Sequence, residues 1–417
     1  MIGKLMRFWQ IAKDTGLRTA MILFLRHLFI AKMNSAETSR KIQEVMKWNI
    51  DSEKIAQHLA YRDQHLAGKI RPETIHWILP RLSAGSGGHR TATRMIRHLV
   101  ECGYKLTVWI YDPRPSEVPR IAADLEKFYD LKGVEAYPLT EPDSIAADIL
   151  VATDAWTAIA AASVVRVIKK FYFVQDFESL FHEAGSLSVL LNYTYTLGFY
   201  PITAGPWLKE LLKSTFNVEA DAFELACDHD IYNTEQRKEP DHPTVVFYAR
   251  GNTPRRCVEL GFAALETLKR RMPQVNVILF GVEKAHERIP FNAEVHGIIS
   301  PREIAKLYAR STVGLSLSAT NHSLIPNEMM ACGLPVVELN SANNTRIYPK
   351  GTVTFADGHP ALIAEKIEHL LRDEKARKAI TSKSLHYAKQ LTWENSAKKV
   401  ESSILRNFRK AEKVRRK

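Results

Sequence analysis

Residues 318–337 constrain the fold of this chain more than any other stretch. An apolar strand over 313–317 leads into a polar loop, a short helix opening near Pro326 and Asn327, a Gly-Leu-Pro helix end and a second strand. Glu328 falls in the first turn of that helix, where unpaired backbone N–H groups can bind a phosphate. A carboxylate beside them can accept two hydrogen bonds from neighbouring sugar hydroxyls, so the stretch suits a nucleotide sugar. Taken alone, an acidic residue at this position is usually only a favourable partner of the helix dipole.

Chain length and charge narrow the classes of function. A chain of 417 residues is too long for one ordinary core and predicts two domains, with room for an appendage. Lysine and arginine total 58 against 46 acidic residues, and the formal net charge of +12 favours anionic partners such as nucleotide diphosphates, lipid phosphates or acidic membranes. No recognised nucleic-acid module accompanies the charge, so nucleic acid is not an expected partner.

Cysteine spacing and apolar segments bear on the cellular location. The four cysteines are scattered without C-x-x-C spacing, which argues against a structural zinc site or a disulfide framework and favours a reducing cytoplasm. No apolar run approaches the ~18 residues needed to span a bilayer, and no cleavage site typical of an export signal follows an apolar run near the start. We expect a cytoplasmic protein, peripheral at the inner face of the cell membrane.

Both ends of the chain are basic. Residues 1–70 are expected to form a helical extension, because apolar residues such as Trp9 recur at helical spacing among many basic residues. This pattern fits a helix on an anionic membrane surface, but a helix packed on its own protein looks the same. The basic tail over 406–417 is either a solvated end or part of the same cationic membrane-facing surface.

The first α/β unit begins near Thr74. An apolar strand over 75–79 is followed by a glycine-rich loop over 80–89, a helix over 90–103 and a strand over 105–110. The loop leaves bare N–H groups at a helix start, where an anion can bind. It lacks G-x-G-x-x-G, so a nicotinamide dinucleotide is not expected. The competing interpretation is a tight turn that serves only the fold.

Polar side chains end two further strands, which lie within 147–154 and 170–178. In an open α/β sheet the carboxyl ends of the strands are where ligands bind. The site candidates from these segments are Asp154, Gln175, Asp176 and Glu178. Asp176 can orient or deprotonate an acceptor hydroxyl. Alternatively, each aspartate only caps a nearby turn.

The second α/β domain follows a polar, proline-bounded linker over 233–243. Its first strand, over 244–251, contains Arg250 at its end, and Arg255 and Arg256 precede the next helix. Cations at a strand end and a helix start can clamp a diphosphate and stabilise it as it departs. Single surface arginines are common, so none of the three carries the prediction by itself.

The segment from Glu328 to Val336, Glu-Met-Met-Ala-Cys-Gly-Leu-Pro-Val, resembles the nucleotide-binding segment of the retaining GT-B glycosyltransferases of family 4. That segment has the form E-x7-E followed by small residues and G-x-P-V. The resemblance implies that Glu328 holds a ribose or deoxyribose hydroxyl of the donor. The first acidic position of the motif is Thr320 here, which leaves the donor sugar open and favours a sugar that demands fewer hydroxyl contacts. Thr320, Asn321 and His322 are donor-side candidates.

The glycine-rich loop looks like the GG-loop of the same family, in which backbone amides approach the donor diphosphate from the facing domain. The resemblance implies that Gly87 and Gly88 bind the donor and that His89 lies on the acceptor side. Val-Gln-Asp-Phe-Glu at 174–178, together with Gly-Ser-Gly-Gly-His, is most similar to the WsaF-like rhamnosyltransferase branch. That branch builds rhamnose-containing surface polysaccharides.

Family 4 members carry G-R and then K-G after the first strand of the second domain. By resemblance, Arg250 takes the arginine role and Arg256, with Arg255 beside it, takes the lysine role. An arginine in place of lysine keeps the charge and adds a bidentate fork. Gly281, which ends the next strand, is expected near the nucleotide base.

The resemblance implies the α/β GT-B fold, with two Rossmann-like domains facing across a cleft after an N-terminal helical extension. The expected segments are an extension over 1–70, an acceptor domain over 71–232, a donor domain over 244–392, and a terminal crossover helix with a basic tail over 393–417. The expected reaction is retaining transfer of a hexose, with rhamnose from dTDP-rhamnose favoured, to a cell-surface polysaccharide or a lipid-linked glycan.

Asp176, Arg250 and Arg256 are the expected catalytic residues. The arginines and the amides of the GG-loop can receive the charge that builds up on the leaving diphosphate, so neither a metal nor a cofactor is required. Two rival functions remain open. A sugar-nucleotide epimerase of the same fold would need no acceptor, and a non-catalytic glycan or membrane adaptor would not need the phosphate-binding groups.

Overall fold

The computed structural model describes residues 36–48, 50–83, 85–251, 253–282 and 289–413. The predictions for the basic segment 1–35 and for the end of the tail at 414–417 lie outside the described residues. Within the described ranges, no helix is both long enough and apolar enough to cross a membrane.

Seven parallel strands form the sheet of the N-terminal domain, in the order β3-β2-β1-β4-β5-β6-β7. They are β1 Thr74–Leu79, β2 Lys105–Tyr111, β3 Glu135–Leu139, β4 Ala147–Ala152, β5 Val167–Val174, β6 Tyr200–Ala204 and β7 Asp221–Phe223. The central strands are almost wholly buried, as expected for a sheet covered on both faces. The strand order reverses between β1 and β4, and ligands bind at such a reversal.

Helices cover both faces of this sheet. The described part of the first helix, α1, covers 36–46, and the others are α2 Ser52–His65, α3 Gly87–Glu101, α4 Ile121–Tyr129, α5 Ala155–Ala162, α6 Ser186–Thr194 and α7 Pro206–Phe216. The extension packs on the domain at α2, where His58 Nδ1 lies 3.2 Å from the carbonyl oxygen of Val165. The Trp48 ring contacts Tyr111 with centroids 5.8 Å apart. From residue 36 onward, the extension therefore contributes to the domain surface.

Six parallel strands form the sheet of the C-terminal domain, in the order β10-β9-β8-β11-β12-β13. They are β8 Thr244–Tyr248, β9 Asn276–Phe280, β10 Glu294–Val295, β11 Val313–Leu315, β12 Val336–Leu339 and β13 Thr354–Ala356. The order reverses between β8 and β11, so each sheet has one reversal at its centre.

The helices of the second half are α8 Val258–Arg271, α9 Pro301–Ala309, α10 Ile325–Ala331, α11 Ala342–Thr345, α12 Pro360–Arg372, α13 Glu374–Gln390 and α14 Trp393–Lys413. Ser300 caps α9 in a capping box with Glu303. Gly261 of α8 lies directly on β8, because a Cβ there would meet the Phe247 ring at 2.3 Å. This close helix-to-sheet contact requires glycine.

The last helix, α14, returns to the N-terminal domain. Val400, Ile404 and Phe408 belong to the apolar core around the first sheet, and Ser403 donates to Asp221 of β7 at 2.7 Å. The chain thus passes between the domains twice, once after β7 and once between α13 and α14.

Candidate active site

A cavity of about 590 Å³ lies between the carboxyl ends of the two sheets. The first domain contributes the loop after β1, the start of α5 and the residues after β5, while the second contributes the segments after β8, β9 and β11. The sequence candidates that line the cavity are Gly87, Gly88, His89, Asp154, Gln175, Asp176, Glu178, Arg250, Arg255, Arg256, Gly281, His322 and Glu328. Thr320 and Asn321 lie behind its wall, where both are buried.

Gly87 and Gly88 begin α3 at the cavity wall. Neither has a positive φ, and an added Cβ would come no closer than 3.7 Å to Leu324 or 3.4 Å to Gln175. Protein contacts therefore do not demand glycine here. The first N–H groups of a helix lack intrahelical partners, and side chains at these positions would stand between them and a ligand. The turn itself depends instead on Gly85, whose φ is +78°.

His89 forms hydrogen bonds with residues of the glycine-rich loop. Its Nε2 lies 3.2 Å from the carbonyl oxygen of Pro80, which only accepts, so Nε2 donates and Nδ1 accepts from the Ser86 hydroxyl at 2.9 Å. Burial lowers the pKa of His89. A neutral ring with both nitrogens engaged holds the loop in place and is not available as an acceptor-side base.

Asp154 and Glu178 meet at the start of α5. Asp154 accepts the N–H of Thr157 at 2.7 Å, and Glu178 accepts the N–H of Ala155 at 2.6 Å. Burial and the neighbouring Asp154 carboxylate raise the pKa of Glu178 well above its ordinary value. Burial also raises the pKa of Asp154. One cavity wall therefore carries a carboxyl pair that retains a proton more readily than exposed acids do.

Asp176 connects the two domains. Its Oδ1 accepts the N–H of Phe177 at 2.8 Å and that of Asn321 at 2.9 Å, while its Oδ2 accepts from the Thr320 hydroxyl at 3.0 Å. Asn321 also donates its side-chain amide to the carbonyl oxygens of Gln175 and Ala204 at 2.9 and 2.8 Å. Thr320 and Asn321, expected to bind the donor, are occupied by the first domain in this arrangement.

The second domain presents two adjacent arginines beside this connection. Arg255 stacks on Phe181, with its Cζ 4.2 Å from the ring centroid, and its Nε lies 3.4 Å from Asp176 Oδ2. Burial, followed by the neighbouring Arg256, lowers the pKa of Arg255. Arg256 donates to the Ser318 hydroxyl at 2.8 Å. Two guanidinium groups held in a partly desolvated cleft form a strong anion site.

Glu338 lies behind these arginines and was not identified from the sequence. Its Oε1 accepts the N–H groups of Ser318 and Leu339 at 2.9 Å each. Its Oε2 has no hydrogen-bond partner among the described residues, and burial raises its pKa to about 7. The only sequence signal was an acidic residue inside the otherwise apolar strand β12.

Arg250 and Gly281 follow the neighbouring strands β8 and β9. Gly281 has a φ of +78°, and a Cβ there would meet the Tyr248 ring at 2.8 Å. Glycine therefore lets the Tyr248 ring and Arg250 lie side by side at the cavity wall.

Glu328 faces the cavity from α10. Its Oε2 has no hydrogen-bond partner in the described part of the chain. Burial raises its pKa to about 7, the Asp228 carboxylate adds to the effect, and Arg90 opposes it.

Arg94, one turn after Arg90, pairs with Asp228 and stacks on Trp393, with its Cζ 4.4 Å from the ring centroid. The sequence signal for these two arginines was their spacing on one face of the helix after the glycines.

His322 is buried at the donor side of the cavity. Burial, with Arg256 nearby, lowers its pKa to about 3, and its Nδ1 lies 3.1 Å from the Asn321 side-chain oxygen. It can contribute a neutral ring to a ligand but no charge.

Comparisons with known proteins agree with this architecture. Residues 243–368 match the family described as WsaF, C-terminal domain. Over 360 residues the chain is 30% identical to the O-antigen biosynthesis protein RfbC of Myxococcus xanthus. That match covers 82% of this chain and 28% of the relative, so the chain spans less than a third of the relative's length.

Solved structures are similar to the chain over both sheets. The crystal structure of Anabaena Alr3699/HepE in complex with UDP-glucose matches with a TM-score of 0.63 at 15% identity, over 82% of this chain and 100% of that chain. The fold is GT-B. A structure of a mutant of S. aureus TarM in complex with Fondaparinux, alpha-GlcNAc-glycerol and UDP matches with a TM-score of 0.59 at 10% identity, over 78% and 98% of the two chains. At these identities the likeness is one of fold, and the predicted pair of Rossmann-like domains across a cleft is confirmed.

Proposed function

We propose that this chain is a glycosyltransferase of O-antigen or related surface-polysaccharide biosynthesis, using a nucleotide-diphosphate sugar as donor. One observation carries the proposal. A single cavity brings together the unencumbered amides of Gly87 and Gly88 from one domain and Arg250, Arg256 and Glu328 from the other. Amides and guanidinium groups bind a diphosphate, and the Glu328 carboxylate with its unpartnered oxygen suits the paired hydroxyls of a ribose, or the single hydroxyl of a deoxyribose.

The proposed step breaks the bond between the sugar C1 and a diphosphate oxygen and forms a bond from C1 to an acceptor oxygen. Negative charge grows on the leaving diphosphate, where Arg250, Arg256 and the loop amides stabilise it. The acceptor proton passes to the ionised member of the Asp154–Glu178 pair, while the other member keeps its own proton. Asp176 was the expected base, but its oxygens are engaged across the domains, so we reassign it as the residue that positions Arg255.

The donor we favour is dTDP-rhamnose, transferred with retention of configuration. Thr320 stands where an acidic residue would contact the donor sugar, and its buried hydroxyl donates to Asp176 instead. A sugar that lacks the 6-hydroxyl leaves fewer polar groups unpaired in such a site. The WsaF match and the role in O-antigen biosynthesis printed for the relative support a surface glycan as product.

The test is a panel of nucleotide sugars offered to the full chain. Thermal shifts identify the donor first, because a ligand that binds only the folded state raises the melting temperature. The stabilising donor is then incubated with polyprenyl-linked oligosaccharides, and both nucleotide release and product mass are followed. We expect dTDP-rhamnose to stabilise the chain and one deoxyhexose to be added to the acceptor.

Other outcomes separate the rival functions. Conversion of the nucleotide sugar without acceptor would show an epimerase, and the absence of any shift with every nucleotide would leave a non-catalytic adaptor. Stabilisation and transfer with a UDP-hexose alone would keep the transferase and overturn the rhamnose assignment.

We further propose that the protein works at the inner face of the cell membrane. The described end of the extension lies at the acceptor rim, where Lys41 Nζ is 5.7 Å from the Trp156 ring centroid. Leu180, Val189 and Tyr193 expose apolar surface on the same side of the first domain. Sedimentation with anionic vesicles tests this proposal, since binding should fall at high salt. Equal recovery with neutral vesicles would contradict it.

A further inference from the structure

Three potential metal ligands converge where α14 crosses the end of α3. His98 and Cys102 lie four residues apart in the last turns of α3, on the same face of the helix. Glu401 reaches them from α14, although it is 299 residues from Cys102 in the chain. All three residues are partly buried, and the side chains of His98 and Glu401 are only 15% and 19% exposed.

The separations between the three donor atoms match one face of a tetrahedron. His98 Nε2 lies 3.1 Å from Glu401 Oε2, Cys102 Sγ lies 3.6 Å from His98 Nε2, and Cys102 Sγ lies 3.5 Å from Glu401 Oε2. Zinc bonds of about 2.3 Å to sulfur and about 2.0 Å to nitrogen and oxygen would, in tetrahedral geometry, separate ligands by about 3.5 Å for the sulfur pairs and about 3.3 Å for nitrogen and oxygen. An ion therefore fits with only small side-chain shifts.

The surroundings complete the arrangement. Tyr104 donates its hydroxyl to the other Glu401 oxygen at 3.1 Å, which orients the carboxylate as partners of metal ligands do. Glu101 and Glu394 add negative charge nearby, and Arg71 and Lys398 add positive charge. Arg71 is held by the Tyr104 ring and the Cys102 carbonyl oxygen, and Lys398 by Glu394, so both cations are held by other partners.

We propose that His98, Cys102 and Glu401 bind one zinc ion, with water at the fourth position. A thiolate, an imidazole and a carboxylate favour zinc over magnesium or calcium, which prefer oxygen ligands throughout. The cysteine thiol releases its proton on binding, and thiolate and carboxylate together neutralise the ion. The scattered cysteines, without C-x-x-C spacing, argued against a structural zinc site. The present site was missed because Glu401 comes next to the other two residues only in the fold.

The ion would fasten α14 to the N-terminal domain. Glycine amides at one end of α3 face the cavity, while His98 and Cys102 lie near its other end, about 15 to 22 Å away at 1.5 Å per residue. The site is therefore separate from the proposed chemistry. It does not depend on the proposed function, and its failure would leave that function untouched.

The first experiment uses the full chain without a histidine tag, stripped of metal by a chelator and dialysed. Zinc is titrated in competition with a chromophoric chelator, and cobalt is titrated by absorption. We expect one tight equivalent of zinc and a sulfur-to-cobalt charge-transfer band. Cys102→Ser, His98→Gln and Glu401→Gln should each weaken zinc binding at least about tenfold, whereas Cys257→Ser, which removes another half-buried thiol, should retain both signals.

A second measurement, the melting temperature with added metal, tests the site in the wild-type chain even if some of these variants do not fold. Zinc should raise the melting temperature of the stripped wild-type chain more than that of Glu401→Gln at the same zinc concentration, and magnesium should raise neither. Zinc uptake that is unchanged in Cys102→Ser would show adventitious binding only. Absence of the charge-transfer band in the folded wild-type chain would leave a hydrogen-bonded triad without metal. Either result overturns the proposal.

Discussion

Arginine side chains set the electrostatics of the cavity at the scale of single residues. Arg250, Arg255 and Arg256 come from one wall, and Asp176 and the Asp154–Glu178 pair face them from the other domain. Of these contacts, the Asp176 carboxylate 3.4 Å from Arg255 Nε orients that arginine in the structure itself. Pre-oriented charge of this kind acts on a developing anion without further reorganisation.

Replacing Arg250 by alanine should lower turnover more than it weakens donor binding. The guanidinium is expected to act mainly on charge that develops as the diphosphate leaves, so kcat should fall by about a hundredfold while the donor Kd changes little. Steady-state nucleotide release and donor calorimetry measure the two effects. Arg250→Lys should recover part of the loss. Arg372→Ala, which removes an exposed arginine of the same domain, should have no effect, and unchanged turnover in Arg250→Ala would contradict the assignment.

Donor binding should depend on the ionisation of Glu328. Its pKa is raised to about 7, so raising the pH from about 6 to about 8 converts a protonated acid into a carboxylate that accepts hydrogen bonds at both oxygens. The donor Kd should fall several-fold over that interval in the wild type and stay flat in Glu328→Gln. Calorimetry with an intact nucleotide sugar is the measurement, because its diphosphate carries no terminal phosphate that titrates near neutral pH. Parallel curves for the two proteins would exclude Glu328 as the source.

Glu338 should make folding stability fall as the pH rises. Its folded pKa of about 7 exceeds the ordinary value of 4.5, so between these values the folded state holds a proton that the unfolded state has lost. The stabilisation is complete below about pH 4.5 and is lost on rising through about pH 7, a change on the order of 3 kcal/mol. Glu338→Gln keeps an acceptor oxygen for Ser318 and Leu339. Urea unfolding of this variant should show a smaller decline than the wild type, and an equal decline would refute the idea.

At the scale of elements, the loop after β11 and the segment after β5 form one hydrogen-bonded connection between the domains. Loop residues Thr320 and Asn321 donate to Asp176 and to two backbone carbonyl oxygens of the first domain. These hydrogen bonds hold the two halves of the cavity in register.

Asp176→Asn distinguishes a positioning role from a catalytic one. The new amide cannot accept hydrogen bonds at both positions, so we expect a higher donor KM and a loss of unfolding free energy of about 2 kcal/mol, with a modest effect on kcat. A general base would give the opposite pattern, a loss of about a hundredfold or more in kcat at unchanged stability. Thr320→Val, which removes one of the donors to Asp176, should reproduce the first pattern in weaker form.

Elements that depend on local chemistry were predictable from the sequence. The helix after the glycine loop follows from neighbouring residues alone, as does strand β8, although it ends at Tyr248 and not at the predicted residue 251. What could not be predicted was the partner of each loop. Asp176 and Thr320 are 144 residues apart, and Glu338 is hidden in an apolar strand, so only the packing of the domains shows what they contact.

For the whole molecule, the double passage of the chain between domains limits how the cavity can open. Both connections lie on the side of α14, where Arg94 stacks on Trp393 and pairs with Asp228. Rotation about these connections changes the cavity width, while the hydrogen bonds of Asp176 resist it. A change in cavity width would therefore be a rotation about these two connections.

Phe408→Ala should destabilise the N-terminal domain although the residue lies near the end of the chain. Phe408 is fully buried in the first core, and loss of such a side chain costs about 3 to 5 kcal/mol. Thermal or urea unfolding measures the loss, and Ser402→Ala, an exposed position on the same helix, provides the control. Equal stability of the two variants would mean that α14 does not complete this core.

The return of α14 has a consequence for synthesis on the ribosome. Val400, Ile404 and Phe408 emerge after every strand of both sheets has left the exit tunnel. The N-terminal domain, which is translated first, therefore keeps part of its apolar core uncovered until α14 is made. The C-terminal domain already has all its strands at that point and can fold. The first domain can complete its core only after the second has been made, and a nascent chain stalled before residue 393 would expose part of that core.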